Sequence, residues 1–130
     1  MSYQTHSGGV YHIRYHFVWC PKYRRPILVD DIVSCLEKLI HEKVKELGGS
    51  VIALEIQPDH VHLFVEMPPK LSPAQIAYRI KGYTSHVLRR RFPKLKSRLP
   101  SLWSRSYYVG TLGEVSEEVV KRYIEAQKGR

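Results

Sequence analysis

Two cysteines in 130 residues are too few for a disulfide scaffold, and Cys20 and Cys35 form no C-x-x-C pair. The simplest expectation is reduced, partly buried thiols in a cytoplasmic protein. No apolar run approaches the roughly 18 residues of a membrane span. The start, "MSYQTHSGGVYHIRYHF", lacks a basic segment followed by an apolar stretch, so no signal peptide is expected. A Walker-type glycine loop is missing, which argues against a nucleotide cofactor. Neither H-x-H-x-D-H nor H-E-x-x-H occurs, and the aromatic signature of RNA-binding sheets is also absent. No internal repeat or low-complexity tract interrupts the chain. Acid is missing too, over one long stretch: none lies between Glu66 and Glu114.

That gap gives the charge its meaning. Lys and Arg number 21 against 12 Asp and Glu, a net charge of +9. Ten of the bases lie inside the acid-free stretch: Lys70, Arg79, Lys81, Arg89, Arg90, Arg91, Lys94, Lys96, Arg98 and Arg105. The rest of the chain holds 11 bases and 12 acids, a balance of −1. Tyr78, Tyr83, Trp103, Tyr107 and Tyr108 are interleaved with the basic residues. A basic, aromatic segment suits a polyanion whose bases can stack on rings, so nucleic acid is the expected partner, ahead of a membrane surface. The 43% hydrophobic and 25% charged content is that of a folded domain, and residues 1–130 read as one.

The hydropathy pattern predicts the elements. "VYHIRYHFVW" alternates, with Tyr11, Ile13, Tyr15, Phe17 and Trp19 on one face and His12, Arg14 and His16 on the other. Ile32, Leu36, Leu39, Ile40, Val44 and Leu47 keep helical spacing up to Gly48-Gly49. "SVIALEIQ" predicts a second strand with Ile52, Leu54 and Ile56 inward, and Pro58-Asp59 turns into a third. Ser72, Pro73 and Gln75 open a helix with a capping box. "LWSRSYYVG" predicts a fourth strand and "SEEVVKRYIEAQ" a last helix, Glu117 and Glu118 lying near its positive end. Strand–helix–strand–strand–helix–strand is the ferredoxin-like split βαβ order: α+β, a four-stranded antiparallel sheet with helices on one face plus a C-terminal helix.

"QPDHVHLFVE" then raises a chemical question. Residues i and i+2 of a strand share a face, so His60 and His62 stand together while Val61, Leu63 and Val65 point into the core. Two imidazoles side by side can share a metal, and they equally suit an ordinary half-exposed face. In the last helix, Tyr123 and Gln127 lie one turn apart on the same face. There Gln127 can offer a carbonyl oxygen and Tyr123 a phenol.

The "KYRRP" loop after the first strand, the "DHVH" strand and the terminal "YIEAQ" helix, in that order and spacing, resemble the single-tyrosine HUH transposases of small insertion sequences, the IS200-like transposase A type. The resemblance covers nearly the whole chain. It implies an enzyme that cleaves and rejoins single-stranded DNA, hairpins included, through a 5′-phosphotyrosine. It further implies a homodimer, Tyr123 as nucleophile, and a divalent cation held by His60, His62 and Gln127. Imidazoles suit Zn or Mn, whereas phosphate chemistry and a carbonyl ligand suit Mg or Mn; the resemblance favours Mg or Mn. Candidate DNA contacts are Lys22, Arg24, Arg25, Arg79, Arg89, Arg90 and Arg91. Gly110 and Gly113, in "GTLGEVS", allow the tyrosine helix to swing, so a site shared between two subunits is expected. A non-catalytic ferredoxin-like RNA- or DNA-binding module, a zinc hydrolase, and a domesticated housekeeping relative with the same chemistry are the alternatives.

Overall fold

Period-two alternation and helical spacing produce a two-layer fold in the computed structural model, which describes residues 4–6, 9–11, 13–111 and 117–129. A small hairpin pairs β1 (Gln4–His6) with β2 (Gly9–Tyr11). The main sheet contains β3 (Ile13–Trp19), β4 (Ser50–Gln57), β5 (His60–Met67) and β6 (Tyr108–Thr111), in the order β4-β5-β3-β6 with every neighbouring pair antiparallel. α1 (Asp30–Glu46) connects β3 to β4, and α2 (Pro73–Arg91) with α3 (Pro93–Arg98) connects β5 to β6. Each βαβ unit leaves a gap that a strand of the other fills, which is the ferredoxin-like arrangement. α4 (Glu117–Ala126) follows the sheet.

The core lies between the sheet and the two long helices. Tyr15, Phe17 and Trp19 of β3 and Val61, Leu63 and Val65 of β5 meet Leu36, Ile40 and Val44 of α1 and Ile76, Ile80 and Leu88 of α2. α1 stops at Gly48, whose φ of 88° suits a residue without a side chain. Next to it, a Cβ on Gly49 would stand 2.7 Å from the carbonyl oxygen of Glu66 and collide with Met67 Sδ, so β4 can start hard against the end of β5. The capping box of α2 is closed on both sides: Gln75 N–H donates to Ser72 Oγ at 3.1 Å, and Ser72 N–H donates to Gln75 Oε1 at 2.8 Å.

Four sequence expectations change. The first main strand begins at Ile13, because residues 9–11 pair with the N-terminal segment instead; His12 lies outside the described residues. The register of β4 shifts between Val51 and Ala53, and this irregularity turns Ile52 outward to 46% exposure. The predicted fourth strand is a strand only at its end, since residues 101–107 form a loop in which Trp103 makes an isolated bridge to Pro21, just past β3. Pro93 starts the short α3, which periodicity did not reveal. Both cysteines are free thiols, Cys20 buried and Cys35 partly so. Among the described residues no helix is long and apolar enough to cross a membrane.

Candidate metal and tyrosine site

His60 and His62 stand on the sheet face away from α1 and α2, with ring centroids 5.0 Å apart at 77°. Each is fixed through Nδ1. Asp59 Oδ1 lies 2.7 Å from His60 Nδ1, so this nitrogen carries the proton and donates to the carboxylate. His62 Nδ1 lies 3.1 Å from Nε2 of His16. Burial, and then the neighbouring His62, pulls the His16 pKa down to about 4; burial, then His60, also lowers that of His62. Both rings are thus neutral near pH 7, and one donates to the other. With His62 Nδ1 as the donor, the two Nε2 atoms of the pair have no partner among the described residues. An imidazole anchored by one nitrogen with the other open is how a metal-binding histidine is held, so the pair fits a divalent cation.

The alternation places His16 on this more polar face of the sheet, without a role. In the structure His16 is buried there, stacked on Phe64 at 4.1 Å and meeting the edge of Tyr108 at 6.3 Å. Tyr108 in turn lies 6.2 Å from the Tyr123 ring, so aromatic packing runs from the histidines to α4.

On α4, Tyr123 and Gln127 share one partner, Ser106. Its Oγ is 2.9 Å from Gln127 Oε1 and 3.2 Å from the Tyr123 hydroxyl. A serine hydroxyl has one proton, and an amide oxygen can only accept, so Ser106 donates to Gln127 and accepts from Tyr123. Gln127 is buried, and its Nε2 donates to the Tyr123 carbonyl at 3.3 Å. In this arrangement the amide oxygen expected on a metal is engaged by Ser106. Burial pushes the Tyr123 pKa up to about 12, with the Ser106 hydrogen bond opposing it. The loop carrying Ser106 is held by half-buried Lys81, whose Nζ donates to the carbonyls of Ser104 at 2.7 Å, Ser106 at 3.1 Å and Arg105 at 3.3 Å. Desolvation lowers the Lys81 pKa to about 8.

A second tie comes from the loop after β3. Tyr23 and Arg24 adopt left-handed φ values of 61° and 52°, a conformation that costs a non-glycine residue energy. This turn aims Arg24 inward. Its Nε lies 3.3 Å from Asp59 Oδ2, and its Nη1 lies 3.3 Å from the Ile124 carbonyl and 3.5 Å from Glu125 Oε1. A continuous polar path therefore runs from His60 through Asp59 and Arg24 to the tyrosine helix.

The remaining basic candidates are spread over the molecule. Lys22 lies over the Tyr23 ring at 5.2 Å, and Arg25 and Arg90 are exposed. Arg79 is exposed on α2. Arg89 donates to the carbonyls of Leu99 and Pro100, and Arg91 to Cys35 Sγ. Sequence reasoning missed three residues around the site: Asp59, His16 and Ser106. Asp59 beside His60 was a readable signal, taken only as a turn residue; Ser106 had none.

Comparisons with known proteins identify the family of the chain. The sequence model of the family described as "Transposase IS200 like" matches residues 9–127. The ISDra2 transposase TnpA of Deinococcus radiodurans is 33% identical over 122 residues, covering 92% of this chain and 87% of the relative. A transposase for insertion sequence element IS200 from Salmonella typhimurium is 29% identical over 120 residues, covering 88% and 79%. The crystal structure of a candidate transposase from Deinococcus radiodurans superposes with a TM-score of 0.89 at 31% identity, covering 98% of this chain and 99% of the other. A REP-associated tyrosine transposase bound to a REP hairpin shares the fold, with a TM-score of 0.59 at 14% identity, covering 87% of this chain and 62% of the other.

Proposed function

Because the chain belongs to the IS200-like transposase family of DNA-processing enzymes, we propose that it cleaves and rejoins single-stranded DNA at insertion-sequence ends, using Tyr123 as nucleophile. The observation that carries this reading is the pairing of two histidines, each held by Nδ1 with Nε2 open, with a tyrosine helix tied to the same sheet face. The Tyr123 oxygen attacks phosphorus, the bond to the 3′ oxygen breaks, and the products are a 5′-phosphotyrosine and a free 3′-OH. One proton leaves the phenol and one reaches the 3′ oxygen. The number of phosphodiester bonds is unchanged, so the 3′-OH can reverse the step or join a new end without ATP.

The chain's residues act by holding and orienting. A phenol with a pKa of about 12 is ionised to only about one part in 10⁵ at pH 7. Such a phenol is a weak nucleophile, so its attack depends on charge stabilisation at the phosphate. His60 and His62 would hold Mg or Mn, with Gln127 joining once its oxygen leaves Ser106. When bound, the cation supplies charge neutralisation at the scissile phosphate and the departing oxygen. Asp59 and His16 keep the two imidazoles in the required tautomer and orientation. Ser106 accepts the phenol proton's hydrogen bond.

One tyrosine per chain serving two DNA ends calls for a homodimer. In the structure Tyr123 docks on its own sheet, through Ser106, Tyr108 and Arg24; the "GTLGEVS" connection beyond Thr111 lies outside the described residues. We propose that α4 exchanges between this position and the equivalent one on a second copy. REP-hairpin binding by the structural neighbour supports hairpin DNA as a ligand. Mixing His60→Ala with Tyr123→Phe under conditions of subunit exchange tests the shared site. Restored Mn-dependent cleavage of a single strand supports it, and inactive mixed dimers reject it. Strand binding by the wild-type protein with no cleavage in Mn would favour the non-catalytic module.

A further inference from the structure

On the opposite side of the sheet, a cavity of about 740 Å³ opens between α2 and the 101–107 loop. Its size is within the range of small-molecule sites. The lining includes Lys43, Arg79, Lys81 and Arg105 with no carboxylate, and its aromatic walls include Tyr78, Tyr83 and Tyr107. Tyr78 is 78% exposed, so its ring face is free to stack. The Tyr83 ring is anchored, its hydroxyl donating to Glu42 at 3.0 Å and Lys43 lying 4.5 Å above it. Tyr107 has the Lys81 ammonium 5.7 Å from its centroid.

Gly82 is the informative residue. It lies in the middle of α2, where glycine costs about 1 kcal/mol relative to alanine. Neither backbone geometry nor packing asks for it: its φ is helical, and a Cβ there would meet nothing within 4 Å. Gly82 is part of the cavity's lining, so a longer side chain there would extend into its open space.

We infer that this cavity receives an unpaired base of single-stranded DNA, stacked on Tyr78 and its neighbouring rings, with the strand's phosphates on Arg79 and Arg105. Cations without an acid attract any polyanion, an acidic peptide included, and it is the flat rings of Tyr78, Tyr83 and Tyr107 that commit the site to a base, which stacks on them. The cavity shares a wall with the reaction centre. The loop that closes it is the one gripped by Lys81, and Ser106 of that loop bonds Tyr123 and Gln127. A strand seated here is thereby in contact with the segment that holds the nucleophile. The inference rests on the DNA-transposing reading of the chain.

The test uses a labelled mixed-sequence single strand, its duplex, and fluorescence anisotropy in EDTA, so that cleavage plays no part. Tyr78→Ala and Gly82→Leu should each keep the thermal midpoint, Leu being the better helix former. Each should weaken single-strand binding by about tenfold or more, the worth of one base–aromatic stack. Neither removes a charge, so the salt slope should stay, while Arg79→Ala should lower it by about 0.7. If both ring and glycine variants bind the strand as the wild type does, the cavity is not a base site. Should Gly82→Leu fail to fold, the exposed Tyr78 keeps the test decisive. Cleavage by the wild-type protein in Mn is read in a separate assay, so binding unchanged in the cavity variants and cleavage absent in the wild type are distinguishable failures.

Discussion

Leu63 and His62 are adjacent in β5 and face opposite ways, and the two sides of the sheet differ as these residues do. Leu63 is fully buried in a cluster drawn from β3, β5, α1 and α2, where many apolar neighbours share the packing. His62 meets one polar partner, His16, from a segment 46 residues away. The apolar side is redundant, because any one contact is a small part of the whole. The contacts on the histidine side are made by one or two atom pairs each: His60 to Asp59, Asp59 to Arg24, Arg24 to Ile124 and Glu125 of α4, Ser106 to Tyr123. Stability is concentrated on the first side and chemistry on the second.

Neighbouring substitutions in β5 test that division most strongly. His62→Ala should remove Mn-dependent cleavage altogether while costing about 1–3 kcal/mol of stability, the penalty of leaving the buried His16 nitrogen unpaired. Leu63→Ala should lower stability by about 2–5 kcal/mol, the cost of a buried leucine, and leave cleavage by the folded fraction in place. Urea denaturation beside a cleavage assay reads both. A strongly unfolded His62→Ala would erase the distinction between the faces.

Arg24 sharpens it with a smaller effect. As a positioning residue between Asp59 and α4, Arg24→Ala should slow cleavage by about 10- to 100-fold, the scale of a misplaced reacting group. Metal-free strand affinity and its salt slope should hardly move. A slope reduced by about 0.7 with unchanged turnover would instead make Arg24 a phosphate contact.

The smallest effect is on the acid side. His16 has its pKa lowered to about 4 by burial, from an ordinary value of 6.5. Above pH 6.5 it is neutral folded or unfolded and contributes nothing to pH dependence. As pH falls from 6.5 to 4, the unfolded chain takes up a proton that the folded chain refuses, so stability declines; below 4 the decline levels off. The thermal midpoint should follow this course, and His16→Phe, which keeps the stack on Phe64, should make it shallower. An equally steep decline in that variant would assign the titration elsewhere.

What the sequence made legible follows the same division. Val61, Leu63 and Val65, and Leu36, Leu39, Ile40 and Val44, are core residues by local periodicity alone, and the split βαβ order follows from them. His60, His62, Tyr123 and Gln127 were readable as a spacing pattern and a resemblance. Ile52 was misread because a register shift in β4 obeys backbone pairing and not hydropathy. Ser106 and Arg24 form their site contacts across 17 to 100 residues of chain, Arg24 through a left-handed turn, and no local pattern encodes a single long-range hydrogen bond. The basic stretch was legible as charge, yet Lys81 spends its ammonium on three carbonyls of the 104–106 loop, a distinction only geometry supplies.

The central claim is that Tyr123 is the atom donor of a protein–DNA bond on the histidine face. Incubating the protein with a labelled single strand carrying the element's end and with Mn, then digesting and mapping the adduct by mass spectrometry, tests it directly. The predicted result is one nucleotide-modified peptide containing Tyr123, absent in EDTA and in Tyr123→Phe. A covalent adduct that persists in Tyr123→Phe, or cleavage of the strand with water-derived ends and no adduct, would contradict the account.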